Sequence, residues 1–369
     1  MKEARMSFLL SNINPRIKGR IARVSAQLAA CALAIFCLAP DRASSVSVAP
    51  TDQNPDGRRK QKVEEPSDVV KSGLAVLWQE PIDIESRDLF YGIGGREGAP
   101  DPAGKYIFLS DKGSPNDSNP KITVIDERGR KWTVKFGPEV KSETAATRIV
   151  WAVGFHVDQD YFVERAAIEG VTRLETRNMR LEREDDGWKK VGRWDWNANP
   201  FVGTRELDGL KTLMALLHNV DLSALNTKIV RSKRQSGGAE KYVYYVNDLG
   251  ASLGSTGAWF TKFPWADKAR SESKGVPKDY VENGFIAGVK NGEVGFRITR
   301  RLANKILDGV KVEHARWMGG LLGRLSEKQL TDAFRAGGFT ESECAIYVNE
   351  IRDRIRNLQN LGTEISTPR

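Results

Sequence analysis

Cysteine and histidine are scarce in this chain, and each scarcity removes a class of chemistry. There are three cysteines, Cys31, Cys37 and Cys344, and three histidines, His156, His218 and His314, in 369 residues. Two of the cysteines fall in an N-terminal leader-like segment. Cys344 is then alone, no intramolecular disulfide is available, and the fold must stand on its core. The histidines are scattered, and neither H-E-x-x-H nor C-x-x-C spacing occurs, which argues against a metalloprotease or another zinc site. Gly92-Ile93-Gly94-Gly95 opens no βαβ unit, so it makes a poor dinucleotide site. There is no internal repeat. The excess of positive charge is also smaller than it looks. Residues 1–43 hold seven Lys or Arg against two Asp or Glu, which is +5 of the formal +9, and the remaining +4 or so does not argue for nucleic acid.

What is present begins with Arg16, Lys18, Arg20 and Arg23, followed by an uncharged run from Val24 to Pro40 built around LAACALAIFCLA. A basic stretch ahead of a short apolar one reads as an export signal over residues 1–44, with cleavage near Ala43 or Ser44. The run is short and interrupted by Ser25 and Gln27, whereas a spanning helix needs about 20 apolar residues. An uncleaved N-terminal anchor is the alternative, and it is the only membrane contact expected. Leu28-Ala29-Ala30-Cys31 is a weak lipobox, because most of the apolar run follows the cysteine. The expected location is therefore periplasmic or extracellular.

Residues 45–70 are rich in Pro, Asp, Gln, Lys and Glu and read as a disordered linker. About 300 residues remain in a chain that is 40% hydrophobic, enough for one large or two medium cores. Order is expected to begin at LAVLW (74–78). KYIFLS (105–110), KITVID (121–126) and KWTVKF (131–136) alternate apolar and polar residues and predict three antiparallel strands, the last two joined by a hairpin at 127–130. Ser142-Glu143-Thr144 reads as the capped start of a helix that stops at Gly154. Strand-like pieces follow near 161–163 and 185–187. Beyond Asn199-Pro200 the period changes: 204–219 is one strongly amphipathic helix. KIVRS (228–232) and KYVYYV (241–246) flank a Gly237-Gly238 turn. Residues 285–298 carry an Asn291-Gly292 hairpin, and two helices with capping boxes at Ser326/Gln329 and Thr340/Glu343 close the chain. The expectation is a β-rich lobe over 71–198 and a mainly helical lobe over 199–369. Trp188, Trp194 and Trp196 fit either core packing or a stacking platform for a ligand.

Chemistry concentrates in HNVDLSALN, where Asp221 and Asn226 stand five positions apart, and in Asp248-Leu249-Gly250 at the end of the following hairpin. Phosphoryl transfer needs a carboxylate to orient the attacking hydroxyl and oxygen ligands to hold divalent metal against the phosphates. Asp221 with Asn226 resembles the D-x-x-x-x-N catalytic loop of the protein-kinase-like superfamily, and Asp248-Leu249-Gly250 resembles its D-F-G metal motif. Upstream, Lys135 on a strand and Glu143 on the next helix look like the superfamily's phosphate-binding lysine and its glutamate partner. The resemblance covers roughly residues 100–255, in the style of atypical members such as HipA-like, lipid-kinase-like and secretory-pathway kinases. Asn219-Val220 replaces the His-Arg that usually precedes the catalytic aspartate, and no G-x-G-x-x-G precedes Lys135; the polar segment 110–120 is the nearest candidate for a phosphate cover.

The resemblance implies a two-lobed α+β fold and an exported phosphotransferase. It would use ATP or another nucleoside triphosphate with Mg²⁺ or Mn²⁺ and pass the phosphoryl group to a hydroxyl on a protein, glycan or small molecule. Asp221 would orient that hydroxyl, Lys135 would hold phosphate, Glu143 would hold Lys135, and Asn226 with Asp248 would ligate metal. The alternative is a non-catalytic, pseudokinase-like binding protein, since nucleotide is scarce outside the cytoplasm.

Overall fold

A computed structural model of the protein describes residues 75–112, 119–171, 176–184, 187–232, 241–255, 273–298 and 300–362, all within one unit spanning Lys62–Arg369. The expected signal (1–44) and linker (45–70), most of the polar segment 110–120, Asp185-Asp186 and the expected turn at Gly237-Gly238 lie outside the described residues. Described strands are β1 (Ala75–Val76), β2 (Lys105–Asp111), β3 (Lys121–Asp126), β4 (Lys131–Phe136), β5 (Asp160–Arg165), β6 (Ala167–Glu169), β7 (Arg177–Arg183), β8 (Trp188–Gly192), β9 (Thr227–Ser232), β10 (Tyr242–Val246), β11 (Ile286–Lys290) and β12 (Glu293–Phe296). The main helices are α1 (Val140–Ala152), α2 (Arg205–Leu216), α3 (Pro277–Glu282), α4 (Arg301–Leu307), α5 (Val312–Leu322), α6 (Glu327–Ala336) and α7 (Glu341–Gln359). The fold is α+β. Among the described residues no helix is long and apolar enough to cross a membrane.

Six strands form one sheet in the order β5-β7-β4-β3-β2-β6, in which β2, β3 and β4 are antiparallel as the alternation predicts. The β3–β4 turn is closed by Asp126, whose Oδ1 accepts from the backbone N–H of Arg128 (3.0 Å) and Arg130 (2.8 Å). An aspartate that hydrogen-bonds the backbone two residues on is a strong turn former. Alternation then divides the sheet's faces. Trp132, Val134 and Phe136 of β4, Met179 and Leu181 of β7 and Tyr161 and Val163 of β5 join one apolar cluster. The interleaved residues Thr133, Lys135, Arg180, Glu182 and Asp160 look the other way, and register sets Lys135 opposite Arg180 and Glu182 opposite Asp160. That second face is polar yet buried, because α1 covers it.

α1 is buried nearly all round. Ala145, Ile149, Val150 and Ala152 join the larger core, which also takes α2, α5, α6, α7 and the aromatic cluster of Tyr280, Phe334, Phe339 and Tyr347. The helix starts three residues earlier than the sequence suggests. Glu139 is its N-cap, and Ser142 is not a cap: its hydroxyl donates to the carbonyls of Glu139 (3.0 Å) and Gly250 (2.8 Å). Gly154 does stop the helix region, at φ +97°, where a Cβ would lie 2.3 Å from the Gln79 carbonyl oxygen. Both capping boxes form, at Ser326/Gln329 and Thr340/Glu343. The β11–β12 hairpin turns through Asn291 (φ +54°) and Gly292 (φ +78°), as a type I′ turn requires.

Packing settles two local points. β8 pairs with β9 in a second sheet, ordered β1-β10-β9-β8, that unites segments from either side of Asn199-Pro200. Of the two alternatives for the tryptophans, core packing holds for Trp194 and Trp196. Both are fully buried, in ring contact with each other, and Trp194 Nε1 donates to the Tyr245 carbonyl at 2.9 Å.

Candidate active site

Lys135 is the hub. On the polar face of β4 its side chain is only 2% exposed, and its Nζ lies 2.7 Å from Glu139 Oε2, 3.0 Å from Glu143 Oε2 and 2.7 Å from Asp248 Oδ1. Burial alone would lower the lysine's pKa, but Glu143 and Asp248 outweigh it and hold the ammonium well above its ordinary value. Glu143 sits between two cations: Oε2 faces Lys135, while Oε1 accepts from Arg180 Nη1. Burial pushes the Glu143 carboxyl up to about 7, with Arg180 and Lys135 pulling it back toward ionisation. Arg180 continues the network through Nη2 to Glu182 Oε2 (2.7 Å), and Thr147 and Arg148 of α1 bond Asp160 at 2.9 and 3.3 Å.

Two of these partners escaped the sequence reading. Glu139 stands four positions from both Lys135 and Glu143, a spacing that is visible in the sequence; it also accepts from Asn119 Nδ2 (3.0 Å) and pairs with Lys274. Arg180 has no local signature, because only strand register brings it opposite Lys135.

The β9–β10 hairpin positions the remaining residues. Thr227 pairs with Val246, so the open ends of the hairpin lie side by side, and the Asn247 N–H donates to the Asn226 carbonyl at 3.1 Å. Asn226 and Asp248 thus leave the same end of one hairpin. Asp248 adopts a left-handed conformation (φ +56°) and its side chain is 36% exposed. Burial opposes its charge, but Lys135 holds its carboxyl below the usual carboxylate range. Gly250 abuts α1 so closely that a Cβ there would lie 2.6 Å from Glu139 Cβ. The loop before the hairpin is laced to the loop after it by Val220 N–H to Ala251 O (3.1 Å) and Leu253 N–H to Leu217 O (2.9 Å). Asp221 is 40% exposed; its carbonyl and Oδ2 accept from Asn226 Nδ2 at 2.9 and 3.1 Å, and Arg300 Nη2 approaches its Oδ1 at 3.8 Å.

The five residues expected from sequence therefore form two sets, Lys135–Glu143–Asp248 and Asp221–Asn226, joined at the ends of one hairpin. Among the described residues no group of three His, Cys, Asp or Glu side chains could hold a metal ion by itself. The donors present fit a different kind of cation site. A half-exposed carboxylate and a carboxamide whose nitrogen is already committed to Asp221 leave hard oxygen ligands, and Mg²⁺ is usually held by one or two carboxylates plus substrate phosphates.

The site of this α+β chain thus combines a buried strand lysine, paired to the next helix, with two acidic loops that bracket a hairpin. Comparison with solved structures finds similarity to the Helicobacter pylori proinflammatory kinase CtkA, at 12% identity over 70% of this chain and 97% of that one, with a TM-score of 0.44. It also finds the Rio2 kinase of Chaetomium thermophilum as a complex described as ADP/Mg²⁺-phosphoaspartate (15% identity, 68% and 72% of the two chains, TM-score 0.29). A second structure of that kinase gives 15% identity, 69% and 74% coverage and a TM-score of 0.27. No protein-family model matches the chain, and no curated sequence is similar to it.

Proposed function

We propose that the chain is a phosphotransferase that moves the terminal phosphoryl group of a nucleoside triphosphate, with Mg²⁺ or Mn²⁺, to a hydroxyl acceptor. The observation that carries this reading is the buried Lys135, bonded at once to Glu143 of the following helix and Asp248 of the post-hairpin loop. Phosphoryl transfer is catalysed mainly by positioning and charge stabilisation, and a desolvated lysine held by a fixed carboxylate suits phosphate oxygens. Asp248 and Asn226 would hold the metal, which when bound neutralises charge developing on the phosphates. Asp221 would take the acceptor's proton as the acceptor oxygen–phosphorus bond forms and the bond to the bridging oxygen breaks. We extend the proposal to location and acceptor: activity outside the cytoplasm, on the strength of the basic and apolar N-terminal segment, toward a hydroxyl of a protein, glycan or small molecule.

Thermal-shift titration and turnover of the purified protein test this. The parent should gain more stability with ATP when Mg²⁺ or Mn²⁺ is present than when it is absent. Asp248→Asn should weaken that binding about tenfold or more, because it removes a full ligand charge while nearly keeping the shape. Asp221→Asn should leave affinity within a few fold and cut turnover about a hundredfold. No metal-dependent shift in the parent, or an equal shift in Asp248→Asn, would favour the non-catalytic binding protein.

A further inference from the structure

An ammonium has three protons to donate, and three carboxylate oxygens already lie within 3.0 Å of Lys135 Nζ. On the phosphotransferase reading, a phosphate oxygen that reaches Lys135 must replace one of them. Glu143 is the worst placed to leave: it is 1% exposed, lies within the body of α1, and its other oxygen is committed to Arg180, so departure would strand a buried guanidinium. Asp248 leaves only if a cation claims it, and without metal it stays paired with Lys135. Glu139 differs from both. It stands at the N-cap of α1, and its carboxylate has two further partners, Lys274 on Oε1 and Asn119 Nδ2 on Oε2. Moving off Lys135 would leave its charge matched and hydrogen-bonded.

We propose that Glu139 sets the protein's affinity for nucleotide by occupying the place of a phosphate oxygen on Lys135, and that a bound triphosphate displaces it toward Lys274. Glu139 is thus an internal competitor whose release is made inexpensive by a second lysine. The consequence has an unusual sign, since removing a buried carboxylate from the site strengthens ligand binding. It also gives Lys274 a function that no sequence motif marks.

Calorimetry on the full chain, with inorganic tripolyphosphate in the absence of metal and with Mg·ATP, tests the proposal. Glu139→Gln keeps the shape and the Asn119 contact while removing the charge, and should bind both probes about threefold to tenfold more tightly than the parent. Lys274→Met should bind both several-fold more weakly, because Glu139 then has no second ammonium to move toward. In the Glu139→Gln background that Lys274 effect should vanish. Binding by the parent with equal or weaker binding by Glu139→Gln overturns the inference and leaves the phosphotransferase reading standing. Absence of binding to either probe in both proteins overturns both. A Lys274→Met effect that persists undiminished in the Glu139→Gln background overturns the handover, by assigning Lys274 directly to phosphate. If Glu139→Gln does not fold, Glu139→Asp, whose shorter side chain draws the carboxylate back from Lys135, replaces it: tighter binding of both probes supports the inference, and equal or weaker binding refutes it.

Discussion

Lys135 and Arg180 face each other across adjacent strands, and two like charges directly opposite are unfavourable unless something lies between them. Glu143 supplies it, one oxygen to each cation. The same logic of burial explains His218, which begins the loop carrying Asp221. Its side chain is buried, its Nε2 has no hydrogen-bond partner among the described residues, and burial reinforced by nearby Arg354 lowers its pKa to about 4. The unfolded chain takes up a proton there near pH 6.5 that the folded chain refuses until about pH 4. Stability associated with this group is therefore complete above pH 6.5 and lost as pH falls toward 4, by about 3 kcal/mol in all. His218→Asn, which tolerates the left-handed φ of +52°, should flatten that loss. Urea denaturation at pH 7 and pH 4.5 measures it; the variant should lose less stability than the parent between the two. An identical loss in both would show that His218 is protonated in the folded protein.

At the scale of elements, the site exists because a helix start, a sheet face and a hairpin end converge. Glu139 and Glu143 follow one another by one helical turn on the face of α1 that covers the sheet. The post-hairpin loop is pressed against the same turn by Ser142, which donates to the Gly250 carbonyl. Gly250→Ala should therefore act on both stability and ligand binding. The added methyl meets Glu139 Cβ at 2.6 Å, so α1 or the loop must shift, at about 1–3 kcal/mol. Gly292→Ala, at a left-handed turn position open to solvent and on another hairpin, should cost about 1 kcal/mol and leave nucleotide affinity unchanged. Melting curves with and without Mg·ATP separate the two. Equal ligand-induced shifts in both variants would mean that the contact between the loop and α1 does not shape the site.

Across the whole molecule, the last helix supports a site about a hundred residues away in sequence. Arg354 of α7 is completely buried; its Nη1 donates to the Leu216 carbonyl at the end of α2 (2.9 Å), its Nη2 to the Tyr280 carbonyl (2.7 Å), and its guanidinium lies over the Tyr280 ring. Tyr347 donates its hydroxyl to the Leu253 carbonyl at 2.9 Å, fixing the far end of the Asp248 loop. The carbonyls at the end of α2 lack helical partners, and Arg354 satisfies one of them. Arg354→Met should cost about 3 kcal/mol, because it removes charge-assisted bonds to two buried carbonyls and leaves that of Leu216 to the Tyr280 hydroxyl (2.6 Å). Thermal unfolding checks this, and a Tm within a degree of the parent would mean that water or a rearranged side chain replaces the guanidinium.

Local periodicity and capping chemistry made much of this legible. Strands β2 to β4, the α2 helix, the Asn291-Gly292 hairpin and both capping boxes depend on residues within a few positions of one another, so their signals are written side by side. The Lys135–Glu143 pair was legible for a related reason: strand, turn and helix are consecutive, and the residues are eight positions apart. Tertiary structure decided the rest. Alternation showed that Lys135 lies opposite the apolar face of β4, but only α1 docking made that polar face an interior. Ser142 resembles a cap by composition, yet Gly250, more than a hundred residues on, draws its hydroxyl into another bond. Trp194 and Trp196 carry no mark of which side of a strand is covered, and packing placed them in the core. Arg180, Lys274 and β8 reached their partners through register and long-range docking, because charge and hydrogen-bond matching between distant segments is settled only when the segments meet.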